Sequence, residues 1–223
     1  MHHILIKVTH ISIQEVTNKL VILYGQREII ERERFDMTVT RGLEGIVATT
    51  SSISSIIDDT LTYVGYNIDD LAVNAKFEEV IYLLWHRRLP NKVELEELTL
   101  QLANNMELPK EIIEYFNMFD IKNIHPMSAL RTAISMLGLY DPEAEKMDGV
   151  SNYNKAIRIQ AKIPTIVTAF SRVRKGLEPV SPRKDLSFAA NFLYMLSGKE
   201  PSEIEVEAFN KALVLHADHE LNA

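Results

Sequence analysis

The chain contains no cysteine. That excludes disulfides and thiolate zinc sites, and it fits a reducing compartment. No apolar run approaches the ~20 residues that a bilayer-spanning helix requires. Residues 1–24 are interrupted by Lys7, His10, Gln14 and Glu15, so they do not read as a secretory signal. Positive charge is not in excess either. The net charge is −7, which points away from nucleic-acid or polybasic membrane surfaces. Neither GxGxxG, GxxxxGKS nor GxSxG occurs, so phosphate cradles and a nucleophile elbow are not indicated.

What remains is an ordinary soluble composition, 46% apolar and 25% charged over 223 residues. This length supplies ample core for one large or two small domains. Residues 1–36 stand apart. Lys7, Lys19, Arg27, Arg32 and Arg34 balance Glu15, Glu28, Glu31, Glu33 and Asp36, so the whole −7 falls in residues 37–223. We expect residues 1–36 to be a non-native or disordered extension and Met37 to be the natural start. The alternative is a genuine extension holding a short strand and a helix.

Val39 to Tyr66 is rich in Thr, Ser and Ile without a helical period and is punctuated by Gly42, Gly45 and Gly65. It predicts short strands and turns. From Asp69 onward the pattern is helical. Phe77–His86 is apolar nearly all round, as in a buried helix, with Leu89-Pro90-Asn91 as its stop and Trp85 in the core. An amphipathic helix over 93–106 carries Leu95, Leu98 and Leu102. Pro109 opens a short helix through Phe116. Pro126 opens another, with Met127, Leu130, Ala133, Ile134 and Leu137 as its apolar stripe and Gly138 as its cap. A long helix starting at Asn152 or Asn154 reaches Arg174, with a kink at Pro164. Another covers 185–197 and ends at Gly198. Ser202 and Glu205 form a capping box for the last helix. The fold class is all-α, with a short β-like segment near the N-terminus.

Chemistry concentrates in residues 216–223, HADHELNA, which hold two imidazoles, two carboxylates and an amide. His216 and His219 lie three apart and share a helical face. A helix C-terminus favours a donating imidazole, able to polarise a carbonyl, while Asp218 and Glu220 could fix its tautomer. For His216, flanked by Leu213 and Leu215, a buried histidine bonded to backbone is the plainer reading. His219 lies beyond the apolar run and remains open to either role. A zinc site lacks a third histidine, and the spacing is not HExxH. Arg131 could anchor a carboxylate, but a structural ion pair is expected. Arg158 and Lys162, four apart, read as a solvated face.

Seven blocks carry a resemblance. They are residues 41–48 (RGLEGIVA), 63–72 (YVGYNIDDLA), 77–85 (FEEVIYLLW), Leu89-Pro90, 125–133 (HPMSALRTA), 191–195 (NFLYM) and 215–223 (LHADHELNA). In order and spacing they resemble the citrate synthases, most of all the shorter type of Gram-positive bacteria, from about residue 37 onward. The resemblance implies a citrate-synthase-like large helical domain over 37–223, incomplete, within a cytoplasmic homodimer. It implies condensation of acetyl-CoA with oxaloacetate to citrate and CoA, at the entry to the tricarboxylic acid cycle. An Asp deprotonates the acetyl methyl group while a His donates to the thioester carbonyl, with no metal or cofactor. By the resemblance His219 binds oxaloacetate, with His216 and Asn222 supporting it. The family's catalytic Asp and His fall beyond residue 223, so no catalytic residue lies within this chain, and it is expected to be inactive alone. A 2-methylcitrate synthase, or a non-catalytic truncated remnant, is the alternative. Two positions depart from the family pattern. Val64 replaces a usual Arg, and Lys76 replaces a Ser or Thr that would cap the helix beginning at Phe77.

Overall fold

The structure is a computed structural model and describes residues 51–57 and 59–218. Expectations about residues 1–36, the RGLEGIVA block, His219, Glu220 and Asn222 lie outside the described residues. Three short antiparallel strands come first: β1 (Ser54–Ile57), β2 (Thr60–Tyr63) and β3 (Tyr66–Asn67), in the order β1-β2-β3. Ser54 pairs with Tyr63, and Tyr63 with Tyr66. The two residues between β2 and β3 both take positive φ, Val64 at 51° and Gly65 at 84°. That is the backbone a tight hairpin matched to strand twist demands, and it suits glycine far better than valine.

Eight α-helices follow among the described residues. Helix α1 (Ile68–Asn74) is capped by Asn67, whose side chain accepts the Asp69 N–H at 2.8 Å. Helix α2 (Phe77–His86) is buried on nearly every side, as expected, and turns off at Arg87 in the left-handed region, before Pro90 is reached. Its Trp85 is only partly buried. It sits at the margin of the core with Tyr153 edge-on at 5.7 Å, not within the core as expected. At the start of α2, Lys76 provides half a capping box. Its N–H donates to Glu79 at 2.8 Å, but an ammonium has no lone pair to return a bond to the Glu79 N–H.

Helix α3 (Lys92–Asn105) has a complete box between Asn91 and Glu94. Helix α4 (Lys110–Asn117) and a 3-10 turn (Ile121–Asn123) lead to α5 (Pro126–Leu137). The buried stripe of α5 is Ala129, Ala133 and Leu137, and Met127 is exposed, against expectation. Gly138 closes α5 in a right-handed conformation, so its glycine character is not what ends the helix. Helix α6 (Gly149–Arg174) begins three residues before Asn152, because the Asp148 side chain accepts the Ser151 N–H. Helix α7 (Phe188–Ser197) starts at its cap Ser187 rather than at Asp185, whose carboxylate goes to Arg183. Helix α8 (Glu203–Leu215) starts at the expected Ser202 box.

Two apolar clusters hold these elements together. One gathers β2, α1, α2, α3, α7 and α8. The other gathers α4, the 3-10 turn and α5. Helix α6 serves both. Ile157 and Ala161 enter the first cluster, and Ile166, Ala169 and Phe170 enter the second. Pro164 lies at the changeover and α6 runs through it as one element. Thr168 donates to the Pro164 carbonyl at 2.8 Å, and Thr165 to that of Met106, so polar groups buried near the proline are satisfied.

Candidate functional site

The segment richest in chemistry is delivered by α8, so what fixes α8 fixes the site. Asn210 clamps the helix at mid-length. Its Oδ1 accepts the Phe77 N–H at 2.9 Å and its Nδ2 donates to the Ala75 carbonyl at 3.0 Å. This answers two backbone groups left free where α1 ends and α2 begins. Phe209 stacks on Phe192 of α7 at 4.6 Å, and Val214 is fully buried.

Helix α8 ends in a set of contacts around His216. The His216 N–H donates to the carbonyls of Ala212 and Leu213 at 3.2 and 3.3 Å. Its ring Nδ1 lies 2.7 Å from the same Ala212 oxygen. A carbonyl can only accept, so Nδ1 carries the proton. A donor at a helix C-terminus also meets its unpaired carbonyls and their partial negative charge. The expected backbone bond is therefore present, but the ring is exposed, not buried. The reason is geometric: Val214 takes the inward direction and His216 follows two residues later.

Asp218 forms no hydrogen bond with His216. Its carboxylate accepts from Ser54 Oγ of β1 at 2.5 Å. Its N–H donates to Tyr63 Oη at 3.3 Å, and that hydroxyl lies 3.4 Å from the carbonyls of Leu215 and of Asp218. Tyr63 is fully buried. Burial raises its pKa and outweighs the backbone hydrogen bonds from Asp218 and Ala217, so the phenol stays neutral. The small sheet thus grips the exit from α8 through one side-chain bond and one buried hydroxyl. Ser54, Tyr63 and Asn210 were not anticipated. Only Tyr63 carried a signal, as part of the YVGY block.

The remaining candidates separate. Arg131 is exposed and forms no ion pair among the described residues, so the expected structural partner is not found. Arg158 is not a solvated residue. It donates to Asp141 at 2.9 and 2.8 Å and to Glu143 at 3.0 Å. Burial pushes the Asp141 pKa up, but the Arg158 hydrogen bonds overcome this and leave it lowered. Lys162 is half-buried and donates to the Asn105 carbonyl at 2.7 Å. Among the described residues no three His, Asp or Glu side chains are grouped to hold a metal ion, and no helix is long and apolar enough to cross a membrane.

A family model described as citrate synthase, C-terminal domain, matches residues 42–223. The chain is 71% identical to citrate synthase 2 of Bacillus subtilis over 187 residues, 84% of this chain and 50% of that protein. It is 45% identical to the citrate synthase of Haloferax volcanii over 188 residues, 82% of this chain and 50% of that one. The fold superimposes on the crystal structure of citrate synthase from Pyrobaculum aerophilum with a TM-score of 0.74 and 38% identity, covering 80% of this chain and 47% of that structure. The chain spans about half the length of the relatives it matches.

Proposed function

The chain belongs to the citrate synthase family, and from that premise we propose that it provides the large helical domain of an enzyme joining acetyl-CoA to oxaloacetate, with release of citrate and CoA. The work is that of an acyltransferase needing neither metal nor prosthetic group, in a cytoplasmic homodimer.

Within this reading His219 binds oxaloacetate, donating to the carbonyl that the incoming carbon attacks, with His216 and Asn222 in support. The observation that carries it is the grip on the three residues before His219. With Asp218 held by Ser54 and Tyr63, and α8 clamped by Asn210, the backbone is fixed as far as Asp218, the residue before His219 in sequence. Polarisation of a carbonyl depends on such preorganised donors. His216 uses Nδ1 on Ala212, which leaves Nε2 for a neighbour or for water.

The polypeptide of 223 residues covers about half of its relatives' length, and made alone it is expected to release no thiol from acetyl-CoA and oxaloacetate. Joined to the matching second half of the Bacillus subtilis relative, it is expected to turn over. In that chimera His219→Ala should raise the KM for oxaloacetate and lower kcat, while the KM for acetyl-CoA stays put. Unchanged oxaloacetate kinetics in His219→Ala would remove the residue from the site. A chimera that prefers propionyl-CoA to acetyl-CoA would overturn the assigned acyl donor.

A further inference from the structure

Lys162 stands on α6 where α3, α5 and α6 approach one another, and it lines a cavity of about 240 Å³. The walls around it are apolar at Leu108, Leu137, Pro142 and Ile159, and the charged Glu107, Asp141 and Arg158 line the cavity as well. Its Nζ is fixed by the 2.7 Å bond to the Asn105 carbonyl, at the C-terminal end of α3. No carboxylate comes within ion-pair distance of it among the described residues. The charged groups that act on it are Arg158, one turn back on the same helix, and Asp141, which is committed to Arg158, and Glu107 lines the same cavity without an ion pair to it. Burial first, and then the Arg158 charge, lower the pKa of Lys162, with Asp141 opposing them. An ammonium that is half desolvated, without a carboxylate partner and beside a like charge gives up its proton more readily than a solvated lysine, and the neutral amine is the nucleophile.

We propose that Lys162 is an acyl-acceptor site, modified on Nζ by small acyl thioesters whose acyl chain lies against the apolar walls of this cavity. The nitrogen lone pair attacks the thioester carbonyl carbon. The C–N bond forms, the C–S bond breaks, and the sulfur leaves with its electron pair as thiolate. The proton lost from nitrogen passes to solvent or to that thiolate. Nothing is oxidised or reduced. The product is an uncharged amide, so the cation at the C-terminal end of α3 is lost and the contact between α3 and α6 weakens. The proposal does not depend on the family's condensation reaction, so the two can fail separately.

The test is to incubate the 223-residue chain with S-acetyl- and S-butyryl-N-acetylcysteamine and follow each lysine by peptide mass spectrometry. Lys162 is expected to acylate severalfold faster than the mean of the other lysines. The excess should vanish in denaturing urea, and the acylated chain should melt at a lower temperature. Lys162→Arg should abolish this one product and leave the others unchanged. A Lys162 rate at or below the mean, or an excess that persists in urea, would overturn the proposal.

Discussion

Ser54 Oγ donates to the Asp218 carboxylate at 2.5 Å, joining the first strand to the exit from the last helix across 164 residues of sequence. Tyr63, the strand partner of Ser54, meets the same segment through its hydroxyl. The two contacts lie on paired positions of neighbouring strands in a short three-stranded sheet. What the sheet does here is hold a helix end. Ser54→Ala removes a hydrogen bond to an ionised group and should lower stability by about 1–2 kcal/mol. Asp218→Asn keeps an acceptor and should lose less. Urea unfolding of the three proteins checks the order, and an unchanged midpoint in Ser54→Ala would remove the contact from the fold's energetics.

Lys76 leaves the N-terminus of α2 half capped. The Glu79 carboxylate already reaches back to the Lys76 N–H, so only the forward acceptor is missing. Lys76→Ser supplies it and should stabilise the chain by about 1 kcal/mol. Lys76→Ala offers no acceptor and should fall short of the serine variant. Equal midpoints for serine and alanine would show that the cap does not form.

Val64 sits at φ 51°, where a β-branched side chain is strained, yet its side chain leans against the main core. The two effects oppose each other. Asn tolerates the left-handed region and retains some bulk, so Val64→Asn should raise stability by about 0.5–1 kcal/mol. Val64→Gly relieves the same strain but adds freedom to the unfolded chain and forfeits the packing, so it should gain less. A destabilised Val64→Asn would mean that packing, not backbone strain, decides at this turn.

Much of the helical frame was legible because helix ends are written locally. Ser202 with Glu205, Pro126 and Gly198 each act within four residues of themselves, and all three do in the structure what their spacing predicts. The errors in helix starts have the same local origin. Asp148 caps α6 and Ser187 caps α7, but neither is followed by Glu three residues later, and more conspicuous polar residues nearby drew the boundary away. Arg158 was misread because its carboxylates, Asp141 and Glu143, lie 17 and 15 residues upstream on a loop. The grip on residues 215–218 was the least legible. A serine in a strand and an aspartate beyond a helix have no periodicity to connect them, and only folding brings them together.

The carboxylates paired with arginine set how the fold responds to acid. Hydrogen bonding from Arg88, helped by the Asn91 backbone, takes Glu94 from an ordinary 4.5 down to about 2. Asp141 and Glu143 are lowered in the same direction, with Arg158 as the partner. A depressed folded-state pKa means that the unfolded chain takes up protons first as pH falls. The contribution of Glu94 is therefore complete above about 4.5 and is lost on the way down to about 2. Glu94→Gln still accepts from the Asn91 N–H but has no charge to offer Arg88. Its stability should lie below that of the parent chain at neutral pH, and the two should converge near pH 2. Arg158→Gln should act in the same sense through Asp141 and Glu143, with a larger loss at neutral pH because two carboxylates are left without their partner. Urea midpoints followed across the acid range read both effects. A Glu94→Gln gap that is as wide at pH 2 as at neutrality would assign its stability to shape and packing, with no part for the ion pair.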